Sequence, residues 1–253
     1  MREFVAHEGA LDTEKNELPP HLKKTWCMGK MEATFIARME QILHLYAVPY
    51  SEQYPVVCFD ERPCFLIGES VAGLAMKAGV PKREHYAYEK NGSCALLMAI
   101  EPKTAKRVAR VFDRRTKQEY AQFMKELAAR YPEAKKMRVV QDNLNTHSIS
   151  SFYETFSAAE AFGLSQRFEF HYPPKSASWL NMIEIEFSAL SKQCLNRRIA
   201  TKEELTREVS AIVKEREEKT IKIEWQFSIE SARGKSNRHY QQINTDNAQY
   251  QKT

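Results

Sequence analysis

Three acidic positions could bind a divalent metal ion together. Asp60 stands at the end of "VVCFD", Asp142 comes directly after "MRVVQ", and the third is Glu184 or Glu186 in "SWLNMIEIEF". Carboxylate oxygens are the ligands that Mg²⁺ and Mn²⁺ prefer. Two such ions about 4 Å apart can activate an attacking oxygen and stabilise the leaving oxygen when a phosphodiester is displaced. These residue types therefore indicate phosphodiester chemistry, provided that the fold brings the acids together.

Helical periodicity does not choose between Glu184 and Glu186. At about 100° per residue, the two lie on opposite sides of an apolar stripe, so either could reach the edge of the core. The stripe consists of Trp179, Leu180, Ile183, Phe187, Leu190 and Cys194. It predicts that Trp179 packs in the core rather than against a nucleic-acid base. Taken singly, an Asp after a strand is more often a turn former and a Glu beside such a stripe is more often solvated, so the hypothesis depends on the three acids together.

The elements that must position these acids follow from hydrophobic patterning. β-Branched and aromatic runs predict strands, and apolar residues at three- and four-residue spacing predict helices. Strands are predicted at 56–60, from Pro63 to 69, and at 92–102, 106–115, 137–140 and 167–174. Helices are predicted at 32–46, 117–131, 150–164, from the turn at 173 to about 196, and at 202–217.

This order predicts an α/β domain built on a mixed five-stranded sheet. Its first three strands are antiparallel neighbours, and the later strands arrive through helical crossovers. Asp142 then stands at the carboxyl end of a strand, where ligands collect in such sheets. The predicted catalytic domain spans 32–240, preceded by an arm or linker remnant at 1–31 and followed by a frayed tail at 241–253.

Composition narrows the class of protein. The chain has 253 residues, of which 43% are hydrophobic and 28% charged, as in ordinary globular proteins. It has no apolar run long enough for a membrane span and no signal-peptide core, so no membrane partner is expected. Its five cysteines include no C-x-x-C motif, which favours free thiols in a reducing cytosol. A net charge of +5 is compatible with a nucleic-acid partner.

Three segments that contain the acids closely resemble the catalytic blocks of IS630-type transposases. The segments are "VVCFDERP", "VVQDNLNTH" and "HYPPKSASWLNMIEIEFS". These enzymes form part of the IS630/Tc1/mariner group, whose catalytic triad is of the DDE type. Further segments are similar too, including "YEKNGSCALLMAIEP" and "WQFSIESARGKSNRHY", so the resemblance extends from about Leu18 to Tyr240. It implies an RNase H-like fold, which agrees with the predicted order of strands and helices.

The resemblance implies a role for each of the acids. Asp60, Asp142 and Glu184 correspond to the catalytic triad, and the same three side chains are the implied metal ligands. Glu184 is selected because it is the acid of the family's "N-x-x-E" block, which begins here at Asn181. Glu186 is then a structural or electrostatic neighbour.

Other polar residues are candidates for supporting roles. In the second block, Asn143 and His147 could orient the aspartate or a phosphate, and Asn181 supports the third block. Basic residues near the expected site could contact the DNA backbone, which would make binding steeply salt-dependent. These candidates are Lys175, Lys192, Arg197 and Arg198.

The resemblance also implies cofactors, partners and a location. Two Mg²⁺ or Mn²⁺ ions are expected, with DNA as substrate: water cleaves the transposon end, and the freed 3′-hydroxyl attacks target DNA, usually at TA. A homodimer acting in the bacterial cytoplasm on the nucleoid is expected. The chain resembles the catalytic part alone, so a separately encoded helix-turn-helix part is an expected partner. The long interval between Asp142 and Glu184 predicts an insertion at about 150–165.

Two other functions fit the same sequence. One is a catalytically idle, domesticated or decaying remnant that binds DNA without cutting it. The other is a generic RNase H-like nuclease for RNA–DNA hybrids, which would share the acids but not the "SWLNMIE" block. Magnesium-dependent nicking separates the first from a transposase, and a comparison of hybrid with duplex substrates separates the second.

Overall fold

The computed structural model describes residues 31–81 and 83–247. From Glu32 onward the chain forms one compact unit. The predicted arm at 1–31, except for its last residue, lies outside the described residues, as do Cys27 and the last six residues of the predicted tail. Cys58, Cys64, Cys94 and Cys194 are buried free thiols. Among the described residues, no helix has the length and apolar character to cross a membrane.

The helices and strands follow the predicted order, but several boundaries differ and one helix, at 229–243, was not predicted. The strands are β1 (Val56–Glu69), β2 (Tyr88–Ile100), β3 (Arg107–Phe112), β4 (Met137–Val140) and β5 (Phe168–His171). The described α-helices are α1 (Ala33–Ala47), α2 (Lys117–Ala129), α3 (Ser150–Thr155), α4 (Ala158–Gln166), α5 (Ile183–Gln193), α6 (Lys202–Glu218) and α7 (Ile229–Ile243), and a 3₁₀ turn spans Ser178–Leu180.

The strands form one mixed sheet in the order β3-β2-β1-β4-β5. β1, β2 and β3 are antiparallel neighbours. β4 lies parallel to β1, and β5 lies parallel to β4. The predicted fold class is therefore confirmed: an antiparallel meander followed by two strands that reach the sheet through helical connections.

β1 runs unbroken through Pro63, so the predicted division of this strand is wrong. β4 pairs with β1 only from Val56 to Cys58. Beyond Cys58, β1 therefore has a strand neighbour only on its β2 side. A proline, which has no N–H to donate, is tolerated where a strand is an edge. The register shifts later, between Leu66 and Ile67.

Two apolar clusters cover the two faces of the sheet. Alternate residues of β2 face opposite clusters: Leu96 and Met98 belong to one, and Leu97 and Ala99 belong to the other. Helices α1, α5, α6 and α7 contribute to the first cluster, whereas α2, α3 and α4 contribute to the second. Each fully buried large apolar side chain stabilises the fold by about 1.5–3 kcal/mol. The central strands are thereby held between two layers of helices.

The predicted helix at 150–164 is divided in two. Phe156 has an extended backbone (φ −117°, ψ 168°) and ends α3. The Ser157 hydroxyl then accepts a hydrogen bond from the Glu160 N–H, at 3.4 Å, and begins α4. A serine followed three residues later by a glutamate is the sequence signature of a helix start. The expected insertion at about 150–165 is occupied by these two short helices.

The segment before α5 also differs from the prediction. The predicted helix from the turn at 173 is a 3₁₀ turn and then α5, which ends at Gln193. Trp179 lies on the 3₁₀ turn with 41% of its surface exposed, so the prediction that it packs in the core is wrong. Its ring makes an edge contact with Phe227, with the centroids 5.6 Å apart. The helical wheel failed here because these residues do not belong to the same helix.

Helix α7 was not predicted. Its buried positions are small or polar, namely Ala232, Gly234, Ser236 and Tyr240, so it lacks an apolar stripe. It extends to Ile243, and the first residues of the predicted tail are therefore helical. On α1, Glu40 accepts hydrogen bonds from Arg233 and Tyr240 of α7, which join the two helices.

Candidate active site

Asp60 and Asp142 lie at the same level on neighbouring strands. β1 and β4 are parallel with Cys58 opposite Val140, and each aspartate follows two residues later along its chain. Asp142 comes just after β4 ends, whereas Asp60 belongs to β1, which continues past this point. The parallel register therefore brings the two carboxylates to the carboxyl edge of β4, where ligands collect in such sheets.

Hydrogen bonds hold the start of α5, which carries Glu184, against β1. The Asn181 side-chain amide donates to the backbone carbonyl of Phe59, at 2.8 Å. The Tyr46 hydroxyl donates to the carbonyl of Leu180, at 2.7 Å. Because Phe59 directly precedes Asp60, the first bond places the beginning of α5 beside that aspartate. Glu184 follows within the first turn of the helix and is partly exposed.

The three predicted acids act on one another electrostatically. The pKa of Asp60 is raised to about 7, mainly by burial and in smaller part by the carboxylates of Asp142 and Glu184. The Glu61 backbone N–H, which donates to the Asp60 carboxylate at 2.7 Å, opposes this rise. The structure thus brings the two aspartates and the glutamate into one site from β1, the loop after β4, and α5.

His147 lies in the same site and contacts two acids. Its Nδ1 is hydrogen-bonded to the Asp142 carboxylate, and its Nε2 lies 3.5 Å from a carboxylate oxygen of Glu61. Burial disfavours the charged imidazole, but the carboxylates of Asp142 and Glu61 outweigh it and raise the pKa of His147 to about 9. At neutral pH the imidazole is therefore a buried cation held between two carboxylates.

Glu61 was not among the predicted site residues. Its side chain is only 4% exposed, and it lies 3.0 Å from the guanidinium of Arg115 as well as beside His147. Four side chains of alternating charge therefore lie next to one another, in the order Arg115, Glu61, His147 and Asp142. The adjacent acids in "DE" were the available sequence signal, but the partner that gives Glu61 its role lies in a different segment.

The loop that carries Asp142 and His147 is held by Gln141. The Tyr120 hydroxyl donates to the Gln141 side-chain oxygen, at 2.9 Å, and the Gln141 amide donates to the backbone carbonyl of His147, also at 2.9 Å. The Tyr120 and His147 rings stack with their centroids 4.9 Å apart. Asn143 is exposed in this loop. The two residues that contact each other, Asp142 and His147, are thus held at both ends of the loop.

The predicted basic residues have different environments. Lys175 and Lys192 are exposed. Arg197 is about half exposed and pairs with Glu208. Arg198 donates to the backbone carbonyls of His85, at 2.6 Å, and Ala87, at 3.2 Å, so its guanidinium is engaged in holding the segment before β2.

The donor set of the site suits a hard divalent cation. Three carboxylates supply oxygen ligands, and a bound cation would favour the ionised form of Asp60 that burial and like charge disfavour. Among residues 31–81 and 83–247, no three His, Cys, Asp or Glu side chains lie close enough together to hold an ion as they stand. Binding at this edge therefore requires the carboxylates of Asp60, Asp142 and Glu184 to approach one another further.

A sheet in this order, with acids on the central strand, after its parallel neighbour and on a following helix, defines an RNase H-like nuclease domain. The family model for DDE superfamily endonucleases matches residues 55–206, which is more than half of the chain and includes all three acids. The chain belongs to this family. The comparison with curated proteins gave no match.

Solved structures of the Mos1 mariner transposase have the same fold. The Mos1 paired end complex with Mn aligns with a TM-score of 0.51 and 13% identity over 96% of this chain and 71% of that chain. The Mos1 Strand Transfer Complex aligns with a TM-score of 0.52 and 13% identity over 94% and 70% of the two chains. These similarities confirm the predicted RNase H-like fold.

Proposed function

We propose that the chain cleaves DNA at transposon ends and joins the freed 3′-hydroxyl to target DNA. The observation that carries the proposal is the parallel register of β1 and β4, which brings Asp60 and Asp142 to one edge of the sheet, while Asn181 holds the start of the helix that carries Glu184 beside Asp60. Membership of the DDE superfamily endonucleases supports cleavage of a phosphodiester. The similar Mos1 structures, a paired end complex and a strand transfer complex, support transposition as the form that this chemistry takes.

Asp60, Asp142 and Glu184 would hold two Mg²⁺ or Mn²⁺ ions. The similar Mos1 structures include a paired end complex with Mn and one with Mg. When bound, the ions supply activation of the attacking oxygen and neutralisation of charge on the leaving oxygen. The carboxylates would serve as ligands in their ionised form, which bound cations would favour at Asp60 against burial and neighbouring negative charge.

The other residues of the site position these ligands. His147 holds one oxygen of Asp142, and Glu61 holds His147 from the opposite side. Asn181 keeps the start of α5 against β1 and so sets the distance between Glu184 and Asp60. Groups that orient ligands in this way generally change metal affinity or activity by about 10–100-fold when they are removed.

DNA would be bound by exposed basic side chains around this edge. Lys175 stands in the turn after β5, and Lys192 and Arg197 lie at the end of α5 and just beyond it. Arg198 is a weaker candidate because its guanidinium is engaged by backbone carbonyls. Asn143, exposed beside Asp142, could contact a phosphate. Transposition further implies a homodimer across two ends, target joining at TA and a separate helix-turn-helix part.

The proposal is tested with a terminal-repeat DNA duplex in four reactions. Wild type and Asp142→Asn are each assayed for cleavage with Mg²⁺ and with EDTA. Asn keeps the shape of the side chain but removes the charge, so only wild type with Mg²⁺ should cleave. Equal activity in all four reactions would rule out the metal-dependent mechanism.

Two further outcomes distinguish the alternative functions. Duplex binding without Mg²⁺-dependent cleavage by wild type would indicate a catalytically idle remnant. Preferential cutting of the RNA strand of an RNA–DNA hybrid would indicate a generic RNase H-like nuclease. Joining of the cleaved 3′-end to a TA-containing target supports the transposase proposal over both.

A further inference from the structure

A buried group of charges lies on α5 and takes no part in the proposed ligand set. The Glu186 carboxylate accepts hydrogen bonds from Nε and Nη2 of Arg107, at 2.8 and 3.1 Å. It also accepts hydrogen bonds from Nε and Nη2 of Arg216, at 2.7 and 3.0 Å. The side chains of Glu186 and Arg107 are 1% and 0% exposed, and that of Arg216 is 11% exposed. These three residues are called the arginine–glutamate cluster.

The arginine–glutamate cluster joins α5, β3 and α6 through Glu186, which lies in the first turn of α5. Arg107 begins β3, and Arg216 lies near the end of α6. Arg107 is itself held by the backbone carbonyls of Ala105, at 2.6 Å, and Ile221, at 2.7 Å. Because backbone carbonyls fix the guanidinium of Arg107, its bonds to Glu186 anchor α5 to the start of β3 and to the segment after α6.

We propose that Glu186 is a positioning residue for Glu184. Two residues along an α-helix correspond to a rotation of about 200°, so the two glutamates point to nearly opposite sides of α5. Once the arginine–glutamate cluster fixes Glu186 on the inner side, the rotation of α5 about its axis is set, and Glu184 is directed towards Asp60. This inference rests on the proposed function, in which Glu184 is the third metal ligand.

The energetics of buried ion groups favour positioning over simple stabilisation. Replacing such a group with well-packed apolar residues often leaves stability unchanged or increases it, because desolvation offsets the attraction of the charges. Charge-assisted bonds in paired geometry, however, tolerate little displacement or rotation. An apolar residue at position 186 could slide over its neighbours, whereas a carboxylate bound by two guanidinium groups has one orientation.

A second anchor acts on the same helix. Asn181 and Tyr46 hold the segment just before α5, but their hydrogen bonds lie outside the helix and do not fix its rotation about its axis. The arginine–glutamate cluster adds four bonds one turn later. Glu184 lies between Asn181 and Glu186 along the chain. The contacts of these two residues therefore set how close the Glu184 backbone lies to β1 and to which side of α5 its side chain points.

The test compares the intact wild-type chain with Glu186→Gln, Arg216→Lys and the control Glu40→Gln. Glutamine at 186 removes the charge, and lysine at 216 keeps the charge but loses the paired geometry. Glu40 likewise accepts bonds from Nε and Nη2 of one arginine, Arg233, at 2.7 and 2.9 Å, and this pair joins α1 to α7 without contacting the arginine–glutamate cluster. Each chain is titrated with Mn²⁺, followed by the electron spin resonance signal of the free ion, and is assayed for cleavage of a terminal-repeat duplex.

Both cluster variants should bind Mn²⁺ about tenfold more weakly than wild type, in the range found when groups that orient metal ligands are removed. Their kcat for cleavage should fall by a similar factor while the KM for DNA is unchanged, because the substrate surface is intact. Glu40→Gln should retain wild-type values for both. Should Glu186→Gln fail to fold, Arg216→Lys decides the result.

Wild-type Mn²⁺ affinity and kcat in a folded cluster variant would overturn the inference, and so would an equal loss in Glu40→Gln. A wild-type chain that neither binds Mn²⁺ nor cleaves DNA would instead refute the proposed function. In that case, amide hydrogen exchange tests the positioning role of Glu186 without an activity assay. Faster exchange of the α5 amides in the cluster variants than in Glu40→Gln would support this role, and equal exchange would overturn it.

Discussion

His147 is the residue on which the orientation of Asp142 depends most directly. It contacts that carboxylate through Nδ1, while Glu61 lies on its other side and the Tyr120 ring stacks on its face. A buried imidazolium between two carboxylates is stabilised by both of them, and it fixes the direction in which Asp142 offers its remaining oxygen. The histidine therefore acts on the proposed chemistry through a ligand.

Replacing His147 with alanine should lower the rate of end cleavage by about 10–100-fold, as expected when a group that orients a metal ligand is lost. Affinity for DNA should change little, because the imidazole is buried. Single-turnover cleavage and a filter-binding assay measure the two quantities. His239→Ala, which alters a half-buried histidine on α7, serves as the control. Equal rates for the two variants would contradict the role assigned to His147.

The sequence names single candidate residues where a local motif exists. Asp60, Asp142 and Glu184 are predicted because each stands in a block that resembles the family. Glu186 was left as a neighbour because its partners, Arg107 and Arg216, lie in distant segments, and no local pattern connects them. The pairing of charged residues from distant segments depends on how the helices and strands pack, so the spacing of residues along the sequence does not predict it.

At the scale of elements, the contact between β1 and the start of α5 determines the site. The Asn181 amide donates to a backbone carbonyl of β1 and is 98% buried. Loss of this donor leaves the Phe59 carbonyl buried without that partner, which costs about 1–3 kcal/mol. The same loss releases the segment that sets the distance between Glu184 and Asp60.

Asn181→Ala should therefore lower both the free energy of unfolding, by about 1–3 kcal/mol, and the rate of cleavage. Urea denaturation gives the first quantity, and cleavage at a temperature where the variant is fully folded gives the second. Asn91→Ala is a suitable control, because Asn91 also donates to a backbone carbonyl, that of Ala200, but is exposed. A folded Asn181→Ala protein with the wild-type rate would show that this contact does not position the site.

The pairing of α1 with α7 should depend on pH through Glu40. A hydrogen bond from Arg233 holds the pKa of this carboxyl below its usual value, and burial opposes this only partly. The folded chain therefore binds the proton more weakly than the unfolded chain. The stabilisation is fully present above the ordinary glutamate pKa and is lost as the pH falls through the lowered value.

Glu40→Gln should reduce the free energy of unfolding by about 1 kcal/mol at pH 7, given that the pair is partly exposed. The difference from wild type should shrink as the pH falls below about 4. Urea denaturation of both proteins across this range measures it. The exposed substitution Glu133→Gln should stay within about 0.5 kcal/mol of wild type. A difference that is independent of pH would contradict the assigned linkage.

Element order could be predicted because periodicity and β-branched runs are local signals, and the mixed sheet followed from that order. The failures had non-local causes. Pro63 is tolerated because β4 ends early beside β1, which the sequence of β1 does not reveal. Helix α7 has small and polar residues on its buried side and depends on α1 for its packing, so no stripe marked it.

At the scale of the whole molecule, helices pack on both faces of the sheet, and the proposed chemistry and DNA binding are therefore assigned to its edge after β4. The chain carries a formal net charge of +5 at neutral pH. Contacts to phosphates release counterions, so the affinity for DNA should fall steeply as salt is added. Exposed lysines near the site are expected to account for part of this dependence.

Lys175→Ala and Lys192→Ala should each reduce the slope of log Kd against log salt by about 0.9 if the lysine contacts one phosphate. Fluorescence anisotropy with a terminal-repeat duplex at several salt concentrations measures the slope. Lys219→Ala is the control, because Lys219 pairs with Glu215 at the end of α6, at 2.5 Å. A slope equal to that of the control would show that the lysine concerned does not contact a DNA phosphate.

The central claim is that the carboxylates of Asp60, Asp142 and Glu184 close around divalent ions at one edge of the sheet. The most direct measurement is anomalous X-ray scattering from crystals of the intact chain soaked in Mn²⁺. We predict anomalous density between these three carboxylates in wild type and its loss in Asp142→Asn. Anomalous density only at other positions in wild type, or unchanged density between these carboxylates in Asp142→Asn, would contradict this claim.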